Sequence, residues 1–220
     1  MTRIYIGVAV AVTVASVVAT CIVYPWLPAE IPIHWNIRGE IDDHGSKEWA
    51  AFLAPGFMVG LLVLLALIPW MSPRHFTVDT FQTTYWFIAT VIMTTFAYIQ
   101  VLILWAGLRG PVDTTRPLLT GLLIMFALIG SAMGNVRQNF WVGVRTPWTL
   151  ASERVWNDTH WLAARMFVVA SVLGLGLLIL PLPLPAVSVA VFVLIMAAAL
   201  VPVIYSLVRY KRLERRGEIP

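Results

Sequence analysis

Six runs of about 20 apolar residues, each long enough to cross a bilayer, separate the polar parts of this 220-residue chain. They confine it to a short list of folds. Inside lipid every backbone N–H and C=O must be satisfied within the protein, so only helices and closed barrels span. The runs are continuous and each is long enough for one membrane helix. They cover residues 4–24, 50–71, 85–108, 117–134, 161–180 and 186–208. The fifth and sixth are parted by Pro181, Pro183 and Pro185, which cannot continue a helix and predict a tight turn. Only 12% of the residues are charged, against about 25% in a soluble domain. The expected fold is therefore all-α: a polytopic membrane protein of six helices, with no separate soluble domain. The lone Cys21 lies in the first run, which excludes an intrachain disulfide and a cysteine zinc site.

An even number of spans puts both termini on one side, and basic residues choose the side. With both termini inside, the inner set holds Arg3, Arg74, Arg137, Arg145, Arg154, Arg165 and five basic residues of the tail. The outer set holds Arg38, Lys47, Arg109 and Arg116. The reading is a multi-pass membrane protein with cytoplasmic termini, an extracytoplasmic loop at 25–49 and a cytoplasmic segment at 135–160. The chain divides into 1–71 (two spans and the outer loop), 72–134 (two spans) and 135–220 (the polar segment, two spans and the basic tail).

In the outer loop, Ile31, Ile33 and Trp35 alternate with polar neighbours and predict a short strand, followed by a turn near 36–40. Lys47 is expected to pair with Asp42 or Asp43. His34, Asp42 and His44 are metal-ligand types, but at loose spacing, and no bound metal or other cofactor is expected. The 135–160 segment is the most polar and aromatic stretch. Gly134 and Asn135 predict a helix C-cap, and Thr146-Pro147 an N-cap with proline at the first helical position. A helix from Pro147 would run through Trp148, Ala151, Val155 and Leu162 on one face, lie on the membrane, and turn into the fifth span. On it Arg154 and Asp158 could pair, and Glu153 and His160 share another face. Those two could serve as acid and base. No nucleophile motif or phosphate loop accompanies them, so the chain is not read as an enzyme.

Both polar segments resemble those of the SdpI family of bacterial membrane proteins. Pro32, His34, Gly39, Asp42 and Lys47 fit the pattern of the small N-terminal domain of unknown function, DUF1648, that many members carry. Gly134-Asn135, Arg137, Asn139, Gly143, Arg145-Thr146-Pro147-Trp148, Trp156 and Thr159-His160 fit the second signature. The family takes its name from an immunity protein that protects its producer from a secreted toxic peptide and tethers a cognate repressor to the membrane. The resemblance implies those roles here, in the cytoplasmic (inner) membrane of a bacterium.

The expected function is thus immunity to an antimicrobial peptide, with signalling through a repressor as a further role. A transporter, channel or envelope sensor is the alternative, and a metal-dependent membrane enzyme a more distant one. The expected partners are lipid, a toxin peptide and a cytoplasmic regulator, with no direct contact to nucleic acid. Candidate binding residues are His34, Asn36, Gly39, Asp42 and Lys47 outside. Inside they are Asn135, Arg137, Asn139, Arg145, Trp148, Glu153, Trp156 and His160.

Overall fold

The computed structural model describes residues 1–72, 77–110 and 112–219. Arg74, counted above among the inner charges, lies outside them. Six long helices appear where the apolar runs predict them: α1 (Thr2–Val23), α2 (Lys47–Met71), α3 (Gln82–Arg109), α4 (Thr115–Met133), α6 (Glu153–Ile179) and α7 (Leu184–Arg215). All six are long and apolar enough to cross a membrane. A short helix, α5 (Pro147–Ala151), precedes α6, and two strands, β1 (Glu30–Trp35) and β2 (Ile41–Ser46), lie between α1 and α2. Alternating helix directions put the strands at one end of the bundle, the cap end, and both termini with the 135–152 segment at the other.

In space the helices follow the order α2, α1, α3, α4, α6, α7, each packing on the next, with α2 also touching α3. α3 is the most enclosed because it meets α1, α2, α4 and the hairpin. Small residues set the closest crossings. A Cβ on Gly130 of α4 would lie 2.9 Å from Phe167, and one on Gly174 of α6 would lie 2.7 Å from Leu123. Glycine there lets the backbones approach, as is usual where lipid supplies no hydrophobic drive between helices. The outer flanks expose Val172, Leu173, Phe192 and Ile204, the surface a hydrocarbon phase requires.

Polar side chains inside the bundle link its helices. Gln100, fully buried on α3, donates to Thr20 Oγ1 of α1 and to the Ala51 carbonyl of α2, both at 2.9 Å. Tyr85 of α3 donates to the Leu65 carbonyl of α2 at 2.6 Å. Arg116 of α4 donates to the carbonyls of Leu178 and Leu182, closing the turn between α6 and α7. Gln100→Leu is expected to lower stability by about 0.5–1.5 kcal/mol, the modest worth of hydrogen bonds between membrane helices. Unfolding in mixed micelles measures it, and an unchanged midpoint would remove Gln100 as a tie.

The cap is an antiparallel hairpin in which β1 pairs with β2. β1 answers the alternation of Ile31, Ile33 and Trp35, and the turn falls at 36–40 as expected. Asn36 N–H donates to Glu40 O at 2.9 Å, Gly39 N–H donates to Asn36 O at 2.8 Å, and Gly39 takes a φ of 82°. Ile31, fully buried, seats on α3 at Gly107, where a Cβ would come within 3.0 Å of it.

Candidate functional site

The signature at the termini end is built around side chains that hold backbone. Asn139 is fully buried. Its Nδ2 donates to the carbonyls of Arg137 (2.8 Å) and Val142 (2.9 Å). Its Oδ1 accepts the N–H groups of Trp141 and Val142, both at 2.7 Å. One amide thus satisfies a turn that has no regular ladder to do so. Trp156, also fully buried, donates Nε1–H to the Val136 carbonyl at 2.7 Å. His160 donates from Nδ1 to the Trp156 carbonyl at 2.8 Å and accepts the Val144 N–H at Nε2, 3.0 Å away. A carbonyl only accepts and an N–H only donates, so this arrangement requires the neutral ring protonated at Nδ1. The imidazole also stacks on Trp156, centroids 4.0 Å apart.

Thr146 caps α5 as expected and forms a capping box with Thr149. Its hydroxyl also meets Ser206 Oγ of α7 at 3.0 Å, while Gln138 donates to the carbonyls of Thr149 and Leu150. The loop is thereby tied to α5 and α7. Sequence reasoning did not single out Gln138, Thr149 or Ser206.

The helix expected to run unbroken from Pro147 divides at Ser152, whose backbone is extended (φ −146°, ψ 120°) and whose hydroxyl caps α6 by accepting Val155 N–H. Residues 153–160 are therefore the first turns of the fifth membrane helix, and α5 alone precedes it. The expected Arg154–Asp158 pair does not form. Arg154 meets Glu218 of the tail, and Asp158 accepts from Arg209 Nε of α7 at 2.7 Å. Gly134 ends α4 but with a right-handed φ of −65°, so the left-handed cap is not used. Glu153 is exposed while His160 is buried and committed to backbone. The two are not brought together, and the acid–base arrangement is absent.

What the signature presents outward is different. Arg137 and Asn135 are exposed and line a polar cleft of about 450 Å3 with Thr2, Asp79, Thr80 and Gln82. Arg145, exposed and held by donation to the Phe140 carbonyl, borders a largely apolar groove of about 580 Å3 floored by Ile92, Met133, Phe167 and Val203. Trp148 is half-buried. Guanidinium groups beside a polar cleft and an apolar groove suit binding of anionic or carbonyl groups.

At the cap end, His34 Nδ1 meets Asp42 Oδ1 at 2.6 Å on the exposed face. His44 does not join them, and no cluster of three metal-ligating side chains forms among the described residues. Asn36 supports the turn, donating to Glu40 Oε2 and accepting the N–H groups of Arg38 and Glu40. Its amide first, and the Arg38 guanidinium second, hold the Glu40 carboxyl below the usual carboxylate range. Lys47 pairs with neither Asp42 nor Asp43. Its Nζ sits over the Tyr24 ring, 4.4 Å from the centroid, a cation–π contact at the level where α1 ends. Gly39 at the hairpin tip faces α4 and α7. A Cβ there would lie 2.9 Å from Leu184 and 3.3 Å from Thr115.

Residues 135–206 match the SdpI/YfhL protein family, and residues 11–59 match DUF1648, a domain of unknown function. The first match takes in the signature from Asn135 onward, α6 and most of α7; the second takes in the hairpin with the second half of α1 and the first half of α2. The chain is similar to the Immunity protein SdpI of Bacillus subtilis (strain 168), 26% identical over 171 residues that make up 76% of this chain and 77% of that protein. No solved structure matches the chain.

Proposed function

From a membrane chain that joins an SdpI/YfhL-family segment to a DUF1648 segment, we propose an SdpI-like immunity protein that gives resistance to a secreted antimicrobial peptide. The similarity to an immunity protein over three quarters of the chain carries this reading. In it the termini are cytoplasmic, the hairpin cap faces the incoming peptide, and the signature anchors the far end of the bundle. The outward residues Arg137, Arg145, Trp148 and Glu153 form the face that a cytoplasmic regulator would meet. Asn139, Trp156 and His160, committed to backbone, hold that face from behind.

The test is survival of a sensitive host that makes the protein, challenged with a panel of membrane-active bacterial peptides, beside His34→Ala and Arg145→Ala. Survival is expected to rise against at least one peptide. No rise against any peptide, with the protein intact in the membrane, would defeat the reading. Orientation is tested separately. In a Cys21→Ala background, Ser46→Cys on the exposed end of β2 is expected to react with a membrane-impermeant maleimide in intact cells. Labelling only after the cells are broken would reverse the topology.

A further inference from the structure

The apolar groove bordered by Arg145 takes its walls from four membrane helices: Ile92 of α3, Ile129 of α4, Phe167 of α6, and Ala199 and Val203 of α7. Residues 142–146 of the signature loop close it at the termini end. It reaches well into the span. Ala199 lies seven residues before Ser206, the α7 residue that meets Thr146, which is about 10 Å of helix rise toward the middle of the membrane. Ile92 and Ile129 are half-buried and Val203 is exposed, so the groove is open on its flank at a depth where the surroundings are hydrocarbon. The closed end is fixed in place. His160 holds Val144 N–H, and Thr146 is boxed by Thr149. A ligand there meets a preformed wall and bears little cost for ordering it.

The two ends of the groove ask for different chemistry. Among the described residues Arg145 is the only charged side chain that lines it. Arg38, Arg154, Arg209 and Arg216 each meet a carboxylate, whereas Arg145 donates only to the Phe140 carbonyl, through Nη1. A guanidinium carries five N–H donors in a planar fork, so most remain for an anion, and phosphate fits that fork bidentately. The walls ask for an apolar body without hydrogen-bonding groups. Thr146 supplies the one side-chain hydroxyl, and Thr149 and Ser206 already engage it. An extended peptide laid along the groove would bring amide groups that nothing there satisfies, which is costly in hydrocarbon. An acyl chain brings none. The volume of about 580 Å3 lies within the ~300–1,000 Å3 of formed ligand sites.

We propose that this groove seats one acyl chain of an anionic phospholipid, drawn from the leaflet on the side of the termini, with the lipid phosphate on the Arg145 guanidinium. The chain is common to all phospholipids, so the headgroup sets the choice among them. A zwitterionic lipid brings the same phosphate but adds an ammonium that the guanidinium repels. The seated lipid lies at the edge of the face that a cytoplasmic regulator would meet. The site itself does not depend on the immunity reading.

The experiment titrates the purified full-length protein, stripped of lipid in detergent, with phosphatidylglycerol or phosphatidylcholine of matched chains, and counts bound lipid by native mass spectrometry. One phosphatidylglycerol is expected to bind saturably and about tenfold more tightly than phosphatidylcholine, the worth of one charge-assisted hydrogen bond. Arg145→Ala is expected to abolish that preference and Arg145→Lys to keep part of it. Arg137→Ala removes an exposed arginine at the same end but outside the groove, and is expected to leave the preference intact. Ala199→Phe fills the groove without touching the charge and is expected to weaken both lipids alike. Arg145 is exposed, so its truncation tests the site even where Ala199→Phe disturbs packing. Equal binding of the two lipids by the parent, or a preference that survives Arg145→Ala, would overturn the proposal. So would an equal loss in Arg137→Ala, the mark of diffuse attraction to a basic surface, or a protein dimer that excludes lipid and gives the groove to a second copy. Protection of a host is read separately, by survival, so failure of the lipid site leaves the immunity reading standing.

Discussion

Gly143→Ala is expected to cost about 2–6 kcal/mol and to lower the yield of folded protein in the membrane. Gly143 has a φ of +113°, a backbone region in which an L side chain is strained by about 1–3 kcal/mol. The added Cβ would also stand 2.2 Å from His160 Nε2. The ring cannot retreat, because Nδ1 is bonded to the Trp156 carbonyl and its face lies on the Trp156 indole. If the loop moves instead, Val144 N–H loses its acceptor, and a buried group left unpaired costs about 1–3 kcal/mol more. The sum is a large part of a typical stability of about 5–15 kcal/mol. Gly134→Ala is the control. That residue has a φ of −65° and nothing within 4 Å of the new Cβ, so a change within about 0.5 kcal/mol is expected. Unfolding of both variants in mixed micelles decides the matter. Equal midpoints would mean that the loop does not rest on His160 as described.

The six spans were legible because a bilayer accepts so few solutions: length and apolar continuity were enough. Half of the hairpin was legible for a similar reason. β1 alternates apolar and polar side chains, and Asn36 and Gly39 are turn residues. β2 reads Ile-Asp-Asp-His-Gly-Ser and carries no such alternation, because most of its side chains are solvated. The break at Ser152 was hidden by periodicity, which runs through it unchanged; a serine can sit inside a helix or cap one, and only the observed bond to Val155 N–H decides between them. The signature was harder to read. Polarity and density made Asn139, Trp156 and His160 look like ligand-binding residues, together with Arg137 and Arg145. The sequence does not record which side of the loop each faces, and the three buried ones turn out to serve backbone.

Asn139→Asp is expected to be nearly as damaging as Gly143→Ala, although it changes no shape. The oxygen that accepts from Trp141 and Val142 is kept. The nitrogen that donates at 2.8 and 2.9 Å to two carbonyls becomes an oxygen facing them. At neutral pH a carboxylate would be fully buried against two carbonyl dipoles with no donor to replace the lost ones, and breaking a buried charged or polar pairing in this way costs about 3–5 kcal/mol. The sign of its pH dependence is also set. The folded state disfavours ionisation of the new carboxyl, so it holds the proton to higher pH than the unfolded chain does. The penalty is thus full at pH 7 and shrinks as pH falls toward the ordinary carboxyl value of about 3.9. A protonated carboxyl can donate one bond back to Arg137 O or Val142 O, which recovers part of the loss. The difference in unfolding midpoint between the variant and the parent is therefore expected to narrow between pH 7 and pH 4. A difference that stayed constant or widened on acidification would mean that the side chain at position 139 is not enclosed by its own turn, and the account of the signature as a self-satisfied anchor would fail with it.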